Sequence, residues 1–114
     1  MNVACDIHAA LRGQLDEITE ALRDTWSDSS KGPVITSIEY VIDRDWSGDE
    51  AIHLTVLLRD PSGRDGYEWP ELRPIEDQLM DLIRQYGIER LPYVSWELES
   101  ERTAANEGRY YADD

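Results

Sequence analysis

The sequence predicts an α+β fold with the element order αββαβ, arranged as a two-layer sandwich. Two segments of the 114-residue chain repeat apolar residues at helical spacing, and three segments alternate apolar with polar residues. Two amphipathic helices each require an apolar surface, and one face of a three-stranded sheet provides it. We therefore expect both helices on one face of the sheet, a single domain over residues 1–100, and a polar, acidic tail over 101–114.

The first helix is predicted from about Asn2 to Trp26. The residues of its apolar stripe follow one another at intervals of three or four, and they are Ile7, Leu11, Leu15, Ile18, Leu22 and Trp26. This spacing is typical of a helix that buries one face. A polar segment with Gly32 and Pro33 then ends the helical pattern.

Two strands should follow as an antiparallel hairpin. In the first strand the residues expected to face the core are Val34, Thr36, Ile38, Tyr40 and Ile42. In the second strand they are Ile52, Leu54, Val56 and Leu58. A tight turn at 47–49 joins the strands, and the length of the first strand favours it for the centre of the sheet.

A second helix is predicted after the loop over residues 60–68, with Pro70 or Pro74 in its first turn. Its apolar stripe consists of Leu72, Ile75, Leu79, Leu82, Ile83 and Tyr86. Gly87 is placed to cap its C-terminus. A third strand covers residues 91–100, and a proline near its start favours an edge position. Its inward residues are Val94, Trp96 and Leu98.

The charge balance limits the classes of partner. The chain carries 25 Asp and Glu residues against 11 Lys and Arg, which gives a net charge of -14. Such a surface repels polyanions, so we expect no direct binding of nucleic acid and no membrane association, and instead a basic protein partner. Alternatively, the acidity is an adaptation to salt or a means of solubility.

Cysteine usage and hydropathy predict the compartment. Cys5 is the only cysteine, so no internal disulfide forms. No apolar segment reaches the ~18 residues that a membrane span requires. Both observations favour a cytoplasmic protein.

The open face of the sheet, opposite the helices, is the predicted partner-binding surface. The residues expected to contact the partner are Glu39, Asp43, Asp45, Tyr93, Glu97 and Glu99. A secondary acidic ridge follows from helical spacing on the first helix, where carboxylates recur at intervals of four at Asp16, Glu20 and Asp24. Such surfaces suit a cationic partner, and an ordinary solvated face is the alternative interpretation.

The hairpin turn contains an incomplete calcium-loop motif. The pattern Asp-x-Asp-x-Ser-Gly begins at Asp43, with Asp45 and Ser47 as the further candidate ligands. The twelfth position of such a loop requires a bidentate glutamate, and it falls here on the apolar Leu54. We therefore predict no metal site, with these three residues as the only candidates for one.

No catalytic residues or cofactors are predicted. His8 and His53 lie on different elements, and neither stands in a nucleophile or zinc motif. Cys5 precedes His8 by three residues, a spacing that places both on one helix face, yet a cysteine at a helix start is commonly a small packing residue. We expect a protein that is not an enzyme.

Three of the four tryptophans are predicted to anchor the core, because Trp26, Trp46 and Trp96 fall on core-facing positions of their elements. Trp69 stands beside Tyr67 at the start of the second helix. It is expected either to cap the core or to contact a partner.

At the level of topology, residues 7–100 resemble type II KH-like domains of the ribosome-binding factor A kind. That resemblance implies the α+β fold and, in members that bind RNA, a Gly-x-x-Gly loop between two helices. Gly63-Arg64-Asp65-Gly66 has this spacing, but it follows a strand and carries an aspartate. The resemblance therefore implies an accessory role in a ribonucleoprotein through protein contacts.

The favoured function is that of a small acidic, non-catalytic binding protein. It would neutralise or accompany a basic protein partner, as an antitoxin or an inhibitor does. The alternatives are the KH-like accessory domain of a ribonucleoprotein and a housekeeping domain of a salt-adapted organism.

Overall fold

The computed structural model describes residues 8–102. Its helices and strands in chain order are α1 (Ala9–Thr25), β1 (Ile35–Arg44), β2 (Glu50–Leu58), α2 (Trp69–Gln85) and β3 (Leu91–Leu98). A short 3₁₀ turn precedes β1, and a helical turn over residues 99–102 follows β3 directly. The predicted α+β fold is confirmed, with that helical turn in addition.

Both long helices are amphipathic and have 17 residues. The side chains that α1 buries are Leu15, Ile18 and Leu22, and those that α2 buries are Leu72, Ile75, Leu79 and Ile83. All of them belong to one core cluster with the inward residues of the sheet, as expected when two helices share one sheet face. No helix described between residues 8 and 102 is long and apolar enough to cross a membrane.

The ends of the helices follow from local chemistry. Trp26 follows the last residue of α1, and its indole Nε1 donates a hydrogen bond to Gln78 Oε1 at 3.0 Å, which ties α1 to α2. At the start of α2, Glu68 and Glu71 form a reciprocal capping box. Gly87 follows α2 with a φ of 70°, a conformation that favours glycine. The predicted helical residues 2–7 lie outside the described part of the chain.

A β-bulge near the start of β1 changes which side chains face the core. The pairing register of β1 with β2 shifts between Ile35 and Ser37. Ile35 is therefore buried in the same core as Ile38, although simple alternation places them on opposite faces. Thr36, predicted to point inward, instead donates its hydroxyl to the carbonyl oxygen of Leu57 at 3.2 Å. The extra residue of the bulge resets the alternation.

The central strand is β2, and the expectation of β1 at the centre is wrong. The strand order is β1-β2-β3, with β2 antiparallel to β1 and parallel to β3. Four inward residues of β2 are essentially inaccessible to solvent, namely Ile52, Leu54, Val56 and Leu58. The strand with the most deeply buried face takes the position flanked on both sides, and β3 with Pro92 lies at an edge, as predicted.

Candidate functional site

The sheet face opposite the helices carries four of the six predicted partner-binding residues. Its residues lie in cross-strand rows, one with Glu39 on β1 opposite Thr55 on β2, and the next with Val41 opposite His53. In β3, Tyr93 pairs with His53. The predicted residues on this open face are Glu39, Asp43, Tyr93 and Glu97.

The other two predicted residues lie outside the sheet. Asp45 lies in the turn between β1 and β2, and Glu99 lies beyond the end of β3. The strand was expected to continue to Ser100, but the backbone enters a helical turn after Leu98. That turn is fixed by two bonds, from the Leu98 amide to Glu101 Oε1 at 2.8 Å and from the Ser100 amide to Asp60 Oδ1 at 3.1 Å.

Arg102 occupies the end of the open face that is remote from the hairpin turn. Its guanidinium donates to both carboxylate oxygens of Glu39 at 3.0 Å. It also donates to both oxygens of Glu97, at 2.8 and 3.1 Å. One arginine therefore joins the edge strands β1 and β3 across β2. We call Glu39, Glu97 and Arg102 the arginine clamp.

The arginine clamp shifts the titration of its members. Hydrogen bonding to Arg102 holds the pKa of Glu39 and the pKa of Glu97 below their usual range, and the same bonds raise the pKa of Arg102. Bidentate arginine pairs of this kind are stronger than hydrogen bonds between neutral groups. Two of the predicted partner-binding carboxylates are thus engaged within the chain. No sequence pattern pointed to Arg102, which falls in the predicted tail.

Asp45 organises the turn at the other end of the face. Its Oδ1 accepts hydrogen bonds from the amide and hydroxyl of Ser47, at 2.9 and 2.7 Å, and from the amide of Asp49 at 2.9 Å. Its Oδ2 accepts the Tyr93 hydroxyl at 2.9 Å. These bonds, led by that of the Ser47 hydroxyl, lower the pKa of Asp45 to about 2. The carboxylate therefore stabilises the turn and links it to β3.

The candidate calcium ligands are engaged in the same local bonds. Both oxygens of Asp45 accept hydrogen bonds from the turn and from β3, and Asp43 Oδ1 accepts the amide of Arg44 at 2.7 Å. Ser47 donates its hydroxyl to Asp45. Within residues 8–102, no group of three or more His, Cys, Asp or Glu side chains is arranged to hold a metal ion.

A stacked pair of rings lies next to this turn. The His53 and Tyr93 rings are 5.5 Å apart between centroids and inclined by only 16°. His53 Nε2 lies 3.3 Å from the carbonyl oxygen of Arg44. Because Val41 pairs with His53 across the sheet, one row presents valine, histidine and tyrosine side by side. This row adds an aliphatic and two aromatic side chains to the open face.

Arg90 holds the hairpin against β3 and was not found by sequence reasoning. Its guanidinium donates to the carbonyl oxygens of Asp43 at 3.2 Å and of Ala51 at 3.1 Å. It also lies 3.5 Å from the Glu50 carboxylate. The two carbonyl groups lie 39 or more residues away from Arg90 along the chain. These bonds form only in the folded chain, so no local motif identifies them.

Trp46 is 91% exposed, and its predicted place in the core is wrong. β1 ends at Arg44, and Trp46 lies in the turn that projects beyond the sheet. The alternation of inward and outward side chains along β1 therefore ends two residues before Trp46 and does not determine its burial. Trp69 is half exposed and packs edge-on against Trp96 at 6.5 Å between centroids, away from the open face.

The acidic ridge of α1 borders the outer side of β1. Asp16, Glu20 and Asp24 are all exposed. Asp16 Oδ1 accepts the Tyr40 hydroxyl at 2.8 Å. A small groove of about 150 Å³ separates the helix from the strand, and its lining residues are Asp16, Thr19, Glu20, Arg23 and Ile38.

Comparisons with protein-family models, with curated proteins and with solved structures give no match to this chain. The function must therefore be argued from the surface of the protein itself.

Proposed function

We propose that the protein binds a basic protein partner through the hairpin end of its open face. We define the hairpin end as the turn at 45–49 together with Val41, Asp43, Leu91 and Tyr93. The observation that carries the proposal is the clustering of exposed apolar side chains. Five large apolar residues are exposed among residues 8–102, and the four at the hairpin end are Val41, Trp46, Leu91 and Tyr93.

Aromatic residues of this kind favour a binding role. Tryptophan and tyrosine are enriched among the residues that contribute most to protein interfaces, because they bury much area with few rotatable bonds. Trp46 makes little contact with its own fold, as its 91% exposure shows. Tyr93, in contrast, is oriented by the Asp45 hydrogen bond and by the His53 ring. The hairpin end thus combines an anchor that packs little on its own fold with an anchor that is held in orientation.

The surrounding charge favours a basic partner. Asp43 and Asp49 are exposed around the apolar residues, and the chain as a whole carries a charge of -14. Carboxylates at the rim of an interface speed association with a cationic surface and discourage anionic competitors. A protein of this kind would either neutralise the partner, as an antitoxin or inhibitor does, or accompany it.

The site differs from the sequence prediction in its extent. Asp43, Asp45 and Tyr93 are retained, with Asp45 supporting the surface from within the turn. Glu39 and Glu97 are left out because Arg102 already pairs with both. Trp46 enters because it is exposed.

Affinity capture from the native host at about 0.05 M NaCl, followed by calorimetric titration of the captured protein, tests the proposal. We expect a basic protein whose affinity falls about 30-fold or more with Trp46→Ala, the size typical of a central interface residue. Asp43→Lys should slow its association. The matched controls are Trp69→Ala and Asp77→Lys, which change exposed residues on α2 and should bind as the wild type does.

Equal affinity of the wild type and of Trp46→Ala would contradict the proposal. So would the absence of any basic protein from the captured fraction. An assay of the captured partner's own activity, with and without the acidic protein, then distinguishes neutralisation from accompaniment.

A further inference from the structure

The outer edge of β1 is available for strand pairing. The strand order ends at β1, so within residues 8–102 no strand pairs with its outer edge. An edge of this kind presents backbone N–H and C=O groups at alternate residues. Beyond the bulge, the segment from Ile38 to Arg44 pairs with β2 in unbroken register. It is therefore a regular template for a further strand.

The opposite edge of the sheet is less suitable. β3 is shorter than β1, with 8 residues against 10, and contains Pro92, which has no N–H to donate. β1 contains no proline between Ile35 and Arg44. The two edges therefore differ in their capacity to accept a strand, and β1 is favoured.

A groove with two carboxylates and one guanidinium runs beside the β1 edge. Its carboxylates are those of Asp16 and Glu20, one helical turn apart on α1, and Arg23 and Ile38 also line it. Tyr40 of β1 donates its hydroxyl to Asp16 and thereby joins the strand to the helix at this groove. Asp24 continues the ridge by a further helical turn.

We propose that the β1 edge accepts an extended basic segment of the partner as a fourth strand. Its backbone would pair with Ile38 to Arg44, and lysine or arginine at every second position would face Asp16 and Glu20. This binding mode rests on the proposed function, because it specifies how the basic partner is recognised. It also gives a role to the acidic ridge of α1.

Charge distinguishes this occupant from a second copy of the chain. Two copies paired through β1 would bring two ridges of Asp16, Glu20 and Asp24 together, on molecules that each carry a charge of -14. Like charges brought close in this way oppose association. A cationic strand instead brings opposite charges to Asp16 and Glu20.

The probe for this binding mode is a nine-residue peptide that alternates lysine and threonine. In a second form the amides along one edge of the extended peptide are N-methylated. In a third form the amides along the opposite edge are N-methylated. We expect the unmodified peptide to bind at about 0.05 M NaCl and to shift the backbone amide signals of Ile38 to Arg44. Methylation of the pairing edge should weaken binding about tenfold or more, because several backbone bonds are lost. Methylation of the other edge should leave the affinity unchanged.

A substitution in the groove supplies the second measurement. Glu20→Gln should weaken peptide binding about threefold, as expected for an exposed ion pair. The matched control is Asp77→Asn, which removes one exposed carboxylate from α2 and should leave the affinity unchanged. Neither variant alters a core residue.

Three outcomes would overturn the inference: no detectable peptide binding, equal binding of all three peptide forms, or a dimer that forms through β1 in the absence of peptide. In each case the proposed function would still be judged by the Trp46→Ala experiment on the captured partner. Conversely, edge-specific peptide binding combined with an unaffected Trp46→Ala variant would reject the hairpin end as the docking site and retain the β1 edge.

Discussion

The two ends of the open sheet face have similar carboxylate-rich sequences and opposite structural roles. At one end, Arg102 pairs with Glu39 and Glu97 and links the edge strands. At the other end, Asp45 organises a turn beside the exposed Trp46 and Tyr93. The difference shows that exposure alone does not make a carboxylate of this face available to a partner, because an arginine of the chain can pair with it, as Arg102 pairs with Glu39 and Glu97.

The two ends also differ in how much the protein depends on them. The arginine clamp joins β1 to the chain after β3, over a sequence separation of 63 residues, and therefore contributes to the fold. The Trp46 side chain contributes almost nothing, because it is 91% exposed. We therefore expect substitutions at the clamp to change stability, and substitution of the exposed Trp46 to change mainly binding.

The largest stability effect is expected from Arg102→Met. The substitution leaves Glu39 and Glu97 close together without their cation, so the melting temperature at pH 7 should fall by several degrees. The folded-state pKa of both glutamates is lowered from the ordinary 4.5. The two ionised glutamates therefore stabilise the fold above about pH 4.5, and this stabilisation is lost as the pH falls through their folded-state pKa values. The difference between variant and wild type should shrink accordingly in melts at decreasing pH.

Arg84→Met is the matched control for the clamp. Arg84 is exposed and pairs with its helical neighbour Asp81 at 2.8 Å. An exposed pair within one helix adds little to stability, so this variant should melt close to the wild type at every pH. A similar melting temperature for the two variants would show that the clamp has no structural role.

A smaller effect is expected from Asp45→Asn, which tests the hairpin end. The hydrogen bonds of the turn lower the pKa of Asp45 from the ordinary 3.8 to about 2. The Asp45 carboxylate stabilises the folded state only when it is ionised. Its contribution to stability is therefore complete above about pH 4 and disappears as the pH falls to about 2. Wild type and variant should therefore differ in chemical denaturation at pH 6 and converge near pH 2.

The exposed loop residue Asp65 supplies the comparison for Asp45. Asp65→Asn should leave the denaturation midpoint at pH 6 unchanged. A midpoint for Asp45→Asn that matches this control at pH 6 would mean that the turn does not depend on its carboxylate.

The smallest effect is expected from salt. A net charge of -14 disfavours the compact state, so raising NaCl from 0.01 to 0.15 M, where the Debye length falls from ~30 to ~8 Å, should raise the melting temperature slightly. The rise should be steeper for Arg102→Met, because two carboxylates then lack their cation. Identical salt slopes for wild type and variant would indicate that Glu39 and Glu97 do not repel each other in the fold.

Sequence periodicity determined the elements of this protein and their order. The helical stripes and the alternating strands were predicted correctly because each element buries one face, and that burial imposes a local repeat on the sequence. The buried residues Leu15, Ile18 and Leu22 of α1 follow this repeat directly. The edge position of β3 was also predicted, because Pro92 acts within its own strand.

The tertiary structure alone decided which residues of the open face are available. The bulge at Thr36, the central position of β2 and the end of β1 before Trp46 depend on pairing between strands, which leaves no periodic signal along the chain. Likewise, Arg90 contacts Ala51 at a separation of 39 positions, and Arg102 contacts Glu39 at a separation of 63. Local patterns record which face of an element is buried, but contacts between distant segments form only when the chain folds, and they determine which charges remain for a partner.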